Sequence, residues 1–294
     1  MPYATIDGLR INYEVAGSGP ALLMLAPGGF DAAIERWRMN GVWAELQPLE
    51  TLQKEFQVIA YDRREIGQSD ARVEPLSWEM YAREAKGLLD HLKIDKAYAL
   101  GGCIGCSLGL ALGAHFPERF HALLLHWPVG GYRWMHKGLD AFNGHIEFVR
   151  KHGLAAAAER GKKEKTFWRG DPSAGPWAWT ISRDPAFAES FIRQDPEAYL
   201  RVVERSRDNL FNDTMPSGAS GQQLVNIKVP TFIMSGDDPA HSHSSAVTLR
   251  ELLPNVTLSL VMPPQQNAET VGRWIRESVA AAGKNSANRQ AAAT

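Results

Sequence analysis

The chain lacks most of the features that announce a function outright. Its 294 residues include two cysteines, Cys103 and Cys106, both in one short stretch, which excludes the dense spacing of a disulfide-stapled secreted domain. Neither charge is in excess. Thirty-two Lys and Arg face 33 Asp and Glu for a formal net charge of -1, so there is no electrostatic footprint for nucleic acid. The densest basic run, Arg160-Gly-Lys-Lys-Glu-Lys165, is broken by Glu164 and suits a solvated face. No apolar run approaches the length of a membrane span. The first residues, Met1-Pro-Tyr-Ala-Thr-Ile-Asp7, carry neither the basic nor the apolar region of a secretory signal. The cytoplasm is therefore the expected compartment, with no membrane or nucleic acid as partner. No internal repeat is visible. Zinc-type His and Cys spacing is absent, as is a Gly-x-x-x-x-Gly-Lys phosphate loop, and Gly101, Gly102, Gly105 and Gly109 lack dinucleotide spacing. Neither a metal nor a cofactor is expected.

What is present is a large supply of core: 44% of residues are apolar and 22% charged, enough for one large α/β domain or a domain with an insertion. Residues 4–16 alternate around Asp7-Gly8, a hairpin signal. Continuous apolar runs, typical of strands buried on both faces, follow at Ala21–Leu25, Phe56–Tyr61, Ala97–Leu100, Ala122–Trp127 and Val229–Ser235, with a last strand at Val256–Met262. Helix-compatible segments lie between them, at Trp43–Lys54, Trp78–Leu92 and Ser244–Leu253, and a terminal amphipathic helix is expected over Glu269–Ala281. Strands alternating with helices predict a mostly parallel central sheet covered on both faces. From 128 to 223 the buried-strand runs stop and aromatics crowd in, among them Trp134, Phe142, Phe167, Trp168, Trp177 and Tyr199. This segment is expected to be an inserted helical cap on a core of 1–127 and 224–282. Its aromatics would form cap core or line a pocket. Residues 283–294 are small and polar and give no reason for order.

One stretch carries chemistry. In Ala99-Leu-Gly-Gly-Cys-Ile-Gly-Cys-Ser107, Cys103 stands at the apex of Gly-x-Cys-x-Gly, the pattern of a nucleophile elbow with sulfur in place of serine oxygen. A strained strand-to-helix turn leaves no room for Cβ atoms beside its apex. The helix that opens at Ile104 would favour a thiolate through its N-terminal amides. Cys103 and Cys106 also spell Cys-x-x-Cys, but a redox pair belongs in a smaller thioredoxin-like unit, and Cys106 suits a small-residue position in the first helical turn.

Five motifs in order resemble the α/β-hydrolase fold superfamily over roughly residues 4–127 and 224–281. They are Pro27-Gly-Gly29, Tyr61-Asp-Arg-Arg-x-x-Gly-x-Ser69, the elbow Gly101–Gly105, Phe116-Pro-Glu-Arg119 and Gly236-x-Asp238. The resemblance implies Cys103 as nucleophile, the backbone amides of Gly29 and Ile104 as oxyanion hole, and Asp238 as the carboxylate that orients a histidine. Cysteine nucleophiles occur in the superfamily, as in the dienelactone hydrolases, although serine is far commoner. The chain departs from the pattern at the histidine. The superfamily places it in the loop after the last strand, here Met262-Pro-Pro-Gln-Gln-Asn-Ala268, and no histidine follows His243.

Either the base comes from elsewhere, or ordinary acyl-enzyme hydrolysis is not what this site does. His241 is the first candidate, in the same strand-end loop as Asp238, with helix capping as the alternative. His243 and His126 follow, the second in a Leu-Leu-Leu-His-Trp-Pro context that also suits a structural histidine. Glu65 is unusual at a position that is commonly small in the superfamily. It is either a pocket carboxylate or the partner of Arg63 or Arg64 at the pocket rim. The expected function is cofactor-independent hydrolysis, through Cys103, of a small ester, thioester, lactone or activated amide, with an apolar or aromatic body. The alternatives are a non-hydrolytic lyase on the same fold and a catalytically degenerate ligand-binding protein. The oligomeric state is left open.

Overall fold

The hairpin signal at Asp7-Gly8 is expressed as two consecutive residues at positive φ, 51° and 75°. That is the combination a type I′ turn needs to match the twist of its strands. In the computed structural model, which describes residues 2–39, 41–213 and 215–291, with side chains as far as Lys284, the turn joins β1 (Tyr3–Ile6) to β2 (Leu9–Ala16). The other strands are β3 (Ala21–Leu25), β4 (Gln57–Tyr61), β5 (Ala97–Gly102), β6 (Phe120–His126), β7 (Thr231–Met234) and β8 (Val256–Leu258). They form one sheet in the order β1-β2-β4-β3-β5-β6-β7-β8. β2 pairs antiparallel with β1 and β4, and every pairing from β4 to β8 is parallel. β5 is buried along its whole length and β3, β4 and β6 nearly so, as strands covered on both faces must be.

The order places the candidate site. The chain leaves β3 for β4 on one side, then returns to pair β5 against the other side of β3, so the loops after β3 and β5 diverge from adjacent strand ends. A crevice opens at such a switch point.

Several elements differ from expectation. The single helix expected over Trp43–Lys54 is two short ones, Gly41–Leu46 and Pro48–Leu52, parted by Gln47 at φ 46°. β8 ends at Leu258, not Met262. The terminal helix spans Ala268–Ala291, running into the segment expected as an unordered tail, of which 292–294 lie outside the described residues. Among the described residues no helix is long and apolar enough to cross a membrane.

Residues 128–223 hold helices and, among the described residues, no strand. The long helix Gly131–Glu164 is broken at Gly153, where φ is 78°. The helices Pro185–Ile192 and Pro196–Leu210 each begin on an Asp-Pro pair. Asp184 and Asp195 accept backbone N–H bonds, and the proline takes the first position, where no donor is needed. This segment packs onto the loops after β3 and β4. Trp177 Nε1 donates to Arg72 O at 2.9 Å, Thr180 to Glu65 O at 3.3 Å, and Arg183 to the carbonyls of Gln68 and Ser69. Phe30, from the β3 loop, meets Trp78, Phe142, Trp168 and Phe211 with ring centroids 5.2 to 6.3 Å apart.

Candidate active site

The elbow is fixed by what its glycines cannot carry. A Cβ on Gly101 would lie 2.5 Å from Gly105 O, and one on Gly105 would lie 2.0 Å from Leu25 O. Cys103 takes φ 55° between them, a strained value for a residue with a side chain. The turn is held by Cys103 N–H donating to His126 O at 3.0 Å. The helix Ile104–His115 starts at the next residue. Cys106 lies fully buried beneath, its thiol donating to Gly101 O and His126 O at 3.2 Å each. Burial pushes its pKa well above the ordinary thiol value, so it is a packing thiol. Both cysteines are free.

Cys103 opens into a cavity of about 460 Å³ whose walls include Gly28, Trp43, His126, Trp127, Arg169, His241 and Gln266. Its two pocket tryptophans come from outside the helical segment 128–223. That segment's large aromatics are mostly buried against each other, and it contributes Arg169 to the wall.

The loop after β7 brings carboxylate and imidazole together. Asp238 Oδ1 accepts the backbone N–H groups of Ala240 and His241 at 2.8 and 3.0 Å. Its Oδ2 lies 2.7 Å from His241 Nδ1. A carboxylate can only accept here, so Nδ1 carries the proton and Nε2 is left for the cavity. Nε2 is buried and forms no aligned hydrogen bond with any described residue; it meets the Cys103 sulfur as a charge.

Burial opposes ionisation of both groups, yet the pair overcomes it. His241 is raised to about 9 against that desolvation by Cys103 and then by Asp238. Cys103 is drawn below the ordinary thiol value by His241 and by the backbone amides of Gly28 and Ile104. Each shift favours the charged form, thiolate on Cys103 and imidazolium on His241.

The two backbone amides that act on the sulfur are those of Ile104 and of Gly28, the residue before Gly29. Gly28 takes φ 124° and Gly29 φ 67°, so the chain turns twice, and the first of the two glycines lines the cavity. Gly29 instead faces Trp168, whose ring atoms would lie 2.1 Å from a Cβ there.

His126 reaches the cavity wall and is neutral. It is 2% exposed, its ring stacks on Trp127 and meets Trp43 edge-on, and burial lowers its pKa to about 3. His243 starts the helix His243–Leu252, with Nδ1 3.2 Å from Ser235 Oγ, outside the cavity lining. Glu65 is paired with Arg63, as one of the two readings expected, but not at a pocket rim. Arg63 Nε lies 3.3 Å from Glu65 Oε1, at 2% exposure the pair is buried, and Glu65 does not line the cavity. Tyr81 donates to Glu65 Oε1 at 2.6 Å, while burial raises the carboxyl pKa to about 7. Arg63 lies over the Tyr81 and Phe30 rings.

In the loop after β8, Gln266 faces the cavity. Its Oε1 accepts Trp127 Nε1–H at 2.6 Å, and its Nε2 donates to Ser235 O and Val261 O at 2.9 Å each. Neither Gln266 nor Arg169 was singled out by the sequence. Among the described residues no group of His, Cys, Asp or Glu is placed to hold a metal ion.

Residues 22–150 match the family described as alpha/beta hydrolase fold. The chain is 24% identical to 3-oxoadipate enol-lactonase 2 of Acinetobacter baylyi, over 87% of this chain and 86% of that one. The enol-lactonase structure from Burkholderia xenovorans LB400 aligns at TM-score 0.57 and 21% identity, covering 95% of this chain and 98% of its own. A thermophilic esterase from Thermogutta terrifontis aligns at TM-score 0.61 and 20% identity, covering 95% and 97%. With the sheet order above, these likenesses show the fold: it is the α/β-hydrolase fold.

Proposed function

We propose that the chain is a hydrolase of small carbonyl substrates that works through an acyl-enzyme on Cys103. The observation that carries this is the convergence on one sulfur of His241, itself bound to Asp238, and of the Gly28 and Ile104 amides. The names of the enol-lactonase and esterase neighbours point the same way.

The Cys103 thiolate attacks the carbonyl carbon of an ester, thioester, lactone or activated amide. Charge moves to the carbonyl oxygen, where the Gly28 and Ile104 amides receive it. As the tetrahedral intermediate collapses, His241 gives its Nε2 proton to the leaving group, and an acyl thioester remains on Cys103. The now neutral His241 takes a proton from water, the hydroxide attacks the thioester, and the second collapse restores thiolate and imidazolium. Asp238 holds the ring throughout. The base comes from the loop after β7, and the loop after β8 contributes Gln266 as wall. Because a thiol is already partly ionised near neutral pH, sulfur asks less of its base than a hydroxyl would.

The test is mass spectrometry of the protein quenched during turnover of a 4-nitrophenyl ester. An acyl mass on the peptide containing Cys103, absent in Cys103→Ala together with the turnover, is the expected result. Turnover that persists in Cys103→Ala overturns the assignment, and turnover by the wild type with no acyl mass would replace the acyl-enzyme with direct attack of water on the ester.

A further inference from the structure

Arg169, an exposed residue, is the arginine on the cavity wall. Among the described residues neither Arg169 nor Arg36 has a carboxylate within ion-pair distance, whereas Arg38, Arg63, Arg64, Arg72 and Arg119 all do. The two unpaired guanidinium groups are near enough to repel. The stem of Arg36 lies against the oxyanion loop, its Cγ 2.9 Å from where a Gly28 Cβ would stand.

The nearest carboxylate answers them only in part. Asp31 is 1% exposed and spends its Oδ2 on the backbone N–H of Arg169 at 3.1 Å, and its peptide oxygen accepts Arg36 Nε at 3.2 Å. Asp31 thus positions the Arg169 backbone and attracts both guanidinium groups through space, without an ion pair to either. Two cations beside one buried carboxylate leave an excess of positive charge at this wall, which an anion offsets. The rest of the wall is apolar, with Pro27, Met39, Val42, Trp43, Trp127 and Pro263.

We propose that the substrate carries an anionic group, a carboxylate in the simplest case, which Arg169 receives with help from Arg36 while the reacting carbonyl sits at Cys103. The apolar wall then takes the body that links the two ends. A guanidinium suits this task because its parallel N–H groups match the two oxygens of a carboxylate. The reaction assigned to this end of the molecule rests on the hydrolase reading above; the anion site does not.

Two measurements separate the ideas. In the first, kcat/KM is compared for the mono-4-nitrophenyl ester of glutaric acid and for 4-nitrophenyl pentanoate, which has the same chain without the second carboxylate. The wild type should prefer the glutarate ester, and Arg169→Gln should cut that preference about tenfold, with a smaller cut in Arg36→Gln. The second needs no turnover: glutarate should slow alkylation of Cys103 by iodoacetamide in the wild type and not in Arg169→Gln, while pentanamide should have no such effect. If neither ester is turned over but glutarate protects through Arg169, the hydrolase reading falls and the anion site stands. If the pentanoate ester is preferred, if the preference survives Arg169→Gln, or if glutarate and pentanamide protect alike, the anion site is overturned.

Discussion

His241 Nδ1 and Asp238 Oδ2 lie 2.7 Å apart across a separation of three residues, so one loop delivers both the carboxylate and the imidazole it orients. The remainder of the site, Cys103 with its two amides, comes from the ends of β3 and β5. Their meeting depends on a single tertiary relationship, that between the loop after β7 and the elbow. Four consequences are open to measurement.

The pH dependence of kcat/KM follows from the ion pair. His241 is raised to about 9, so its imidazolium survives through neutral pH and is lost as pH climbs through that value, taking with it the proton for the leaving group. Cys103 is lowered, so the acid limb should lie below the ordinary thiol range. An acid limb below the ordinary thiol range and an alkaline limb near 9 are expected. A single rise through the ordinary thiol pKa, with no alkaline fall, would show that the two groups do not titrate together.

Asp238→Asn keeps the size of the side chain and an oxygen for the Ala240 and His241 amides, but it removes the charge that holds Nδ1–H. The cost in kcat should be on the order of 10²- to 10⁴-fold. Because Asp238 raises the pKa of His241, its loss should also move the alkaline limb towards acid. The melting temperature, measured in parallel, should change less than kcat because Asp238 is half-buried, 42% exposed, and the asparagine keeps its backbone acceptor.

Gly29→Ala should unseat Trp168. The new Cβ would stand 2.1 Å from the indole at a residue with φ 67°, so ring and backbone cannot both keep their places. A loss of about 1–3 kcal/mol in denaturant unfolding is expected. Gly153→Ala is the control. Its φ is 78° and its ψ 172°, a region open essentially to glycine alone, and nothing lies within 4 Å of the added atom, so the cost, about 1–3 kcal/mol, should come from backbone strain with no ring displaced.

Glu65 gives the folded chain a pH dependence of its own. Burial raises its pKa from 4.5 to about 7, so the folded state holds this proton more tightly than the unfolded one. The resulting stabilisation is complete below the ordinary carboxyl pKa and disappears as pH rises through about 7, a difference of up to about 3 kcal/mol. Glu65→Gln keeps an acceptor for the Tyr81 hydroxyl and cannot titrate. The stability of the wild type relative to this variant should decline between about pH 5 and about pH 8. A constant difference would assign the carboxyl an ordinary pKa.

Much of this was legible in the residues because it is local. The apolar runs at 21–25 and 97–100, the Asp7-Gly8 turn and the Gly101–Gly105 elbow each depend on neighbours in sequence. So does the pairing of Asp238 with His241, three residues apart on one strand-end loop. What was hidden depends on distant partners. The choice between Gly28 and Gly29 is settled by successive positive φ values and by Trp168, nearly 140 residues away. The depth of Glu65 is set by Tyr81 and by Arg63 beneath Phe30. Arg169 reaches the cavity because Asp31 holds its backbone. Periodicity carries no trace of such contacts.

The carboxamide of Gln266 is fully spent on Trp127, Ser235 and Val261, and no residue from Ser259 to Ala268 carries an ionisable side chain. This stretch of wall therefore carries no titratable group, and the contour at Pro263 can be recut for a larger or smaller guest without removing a charge.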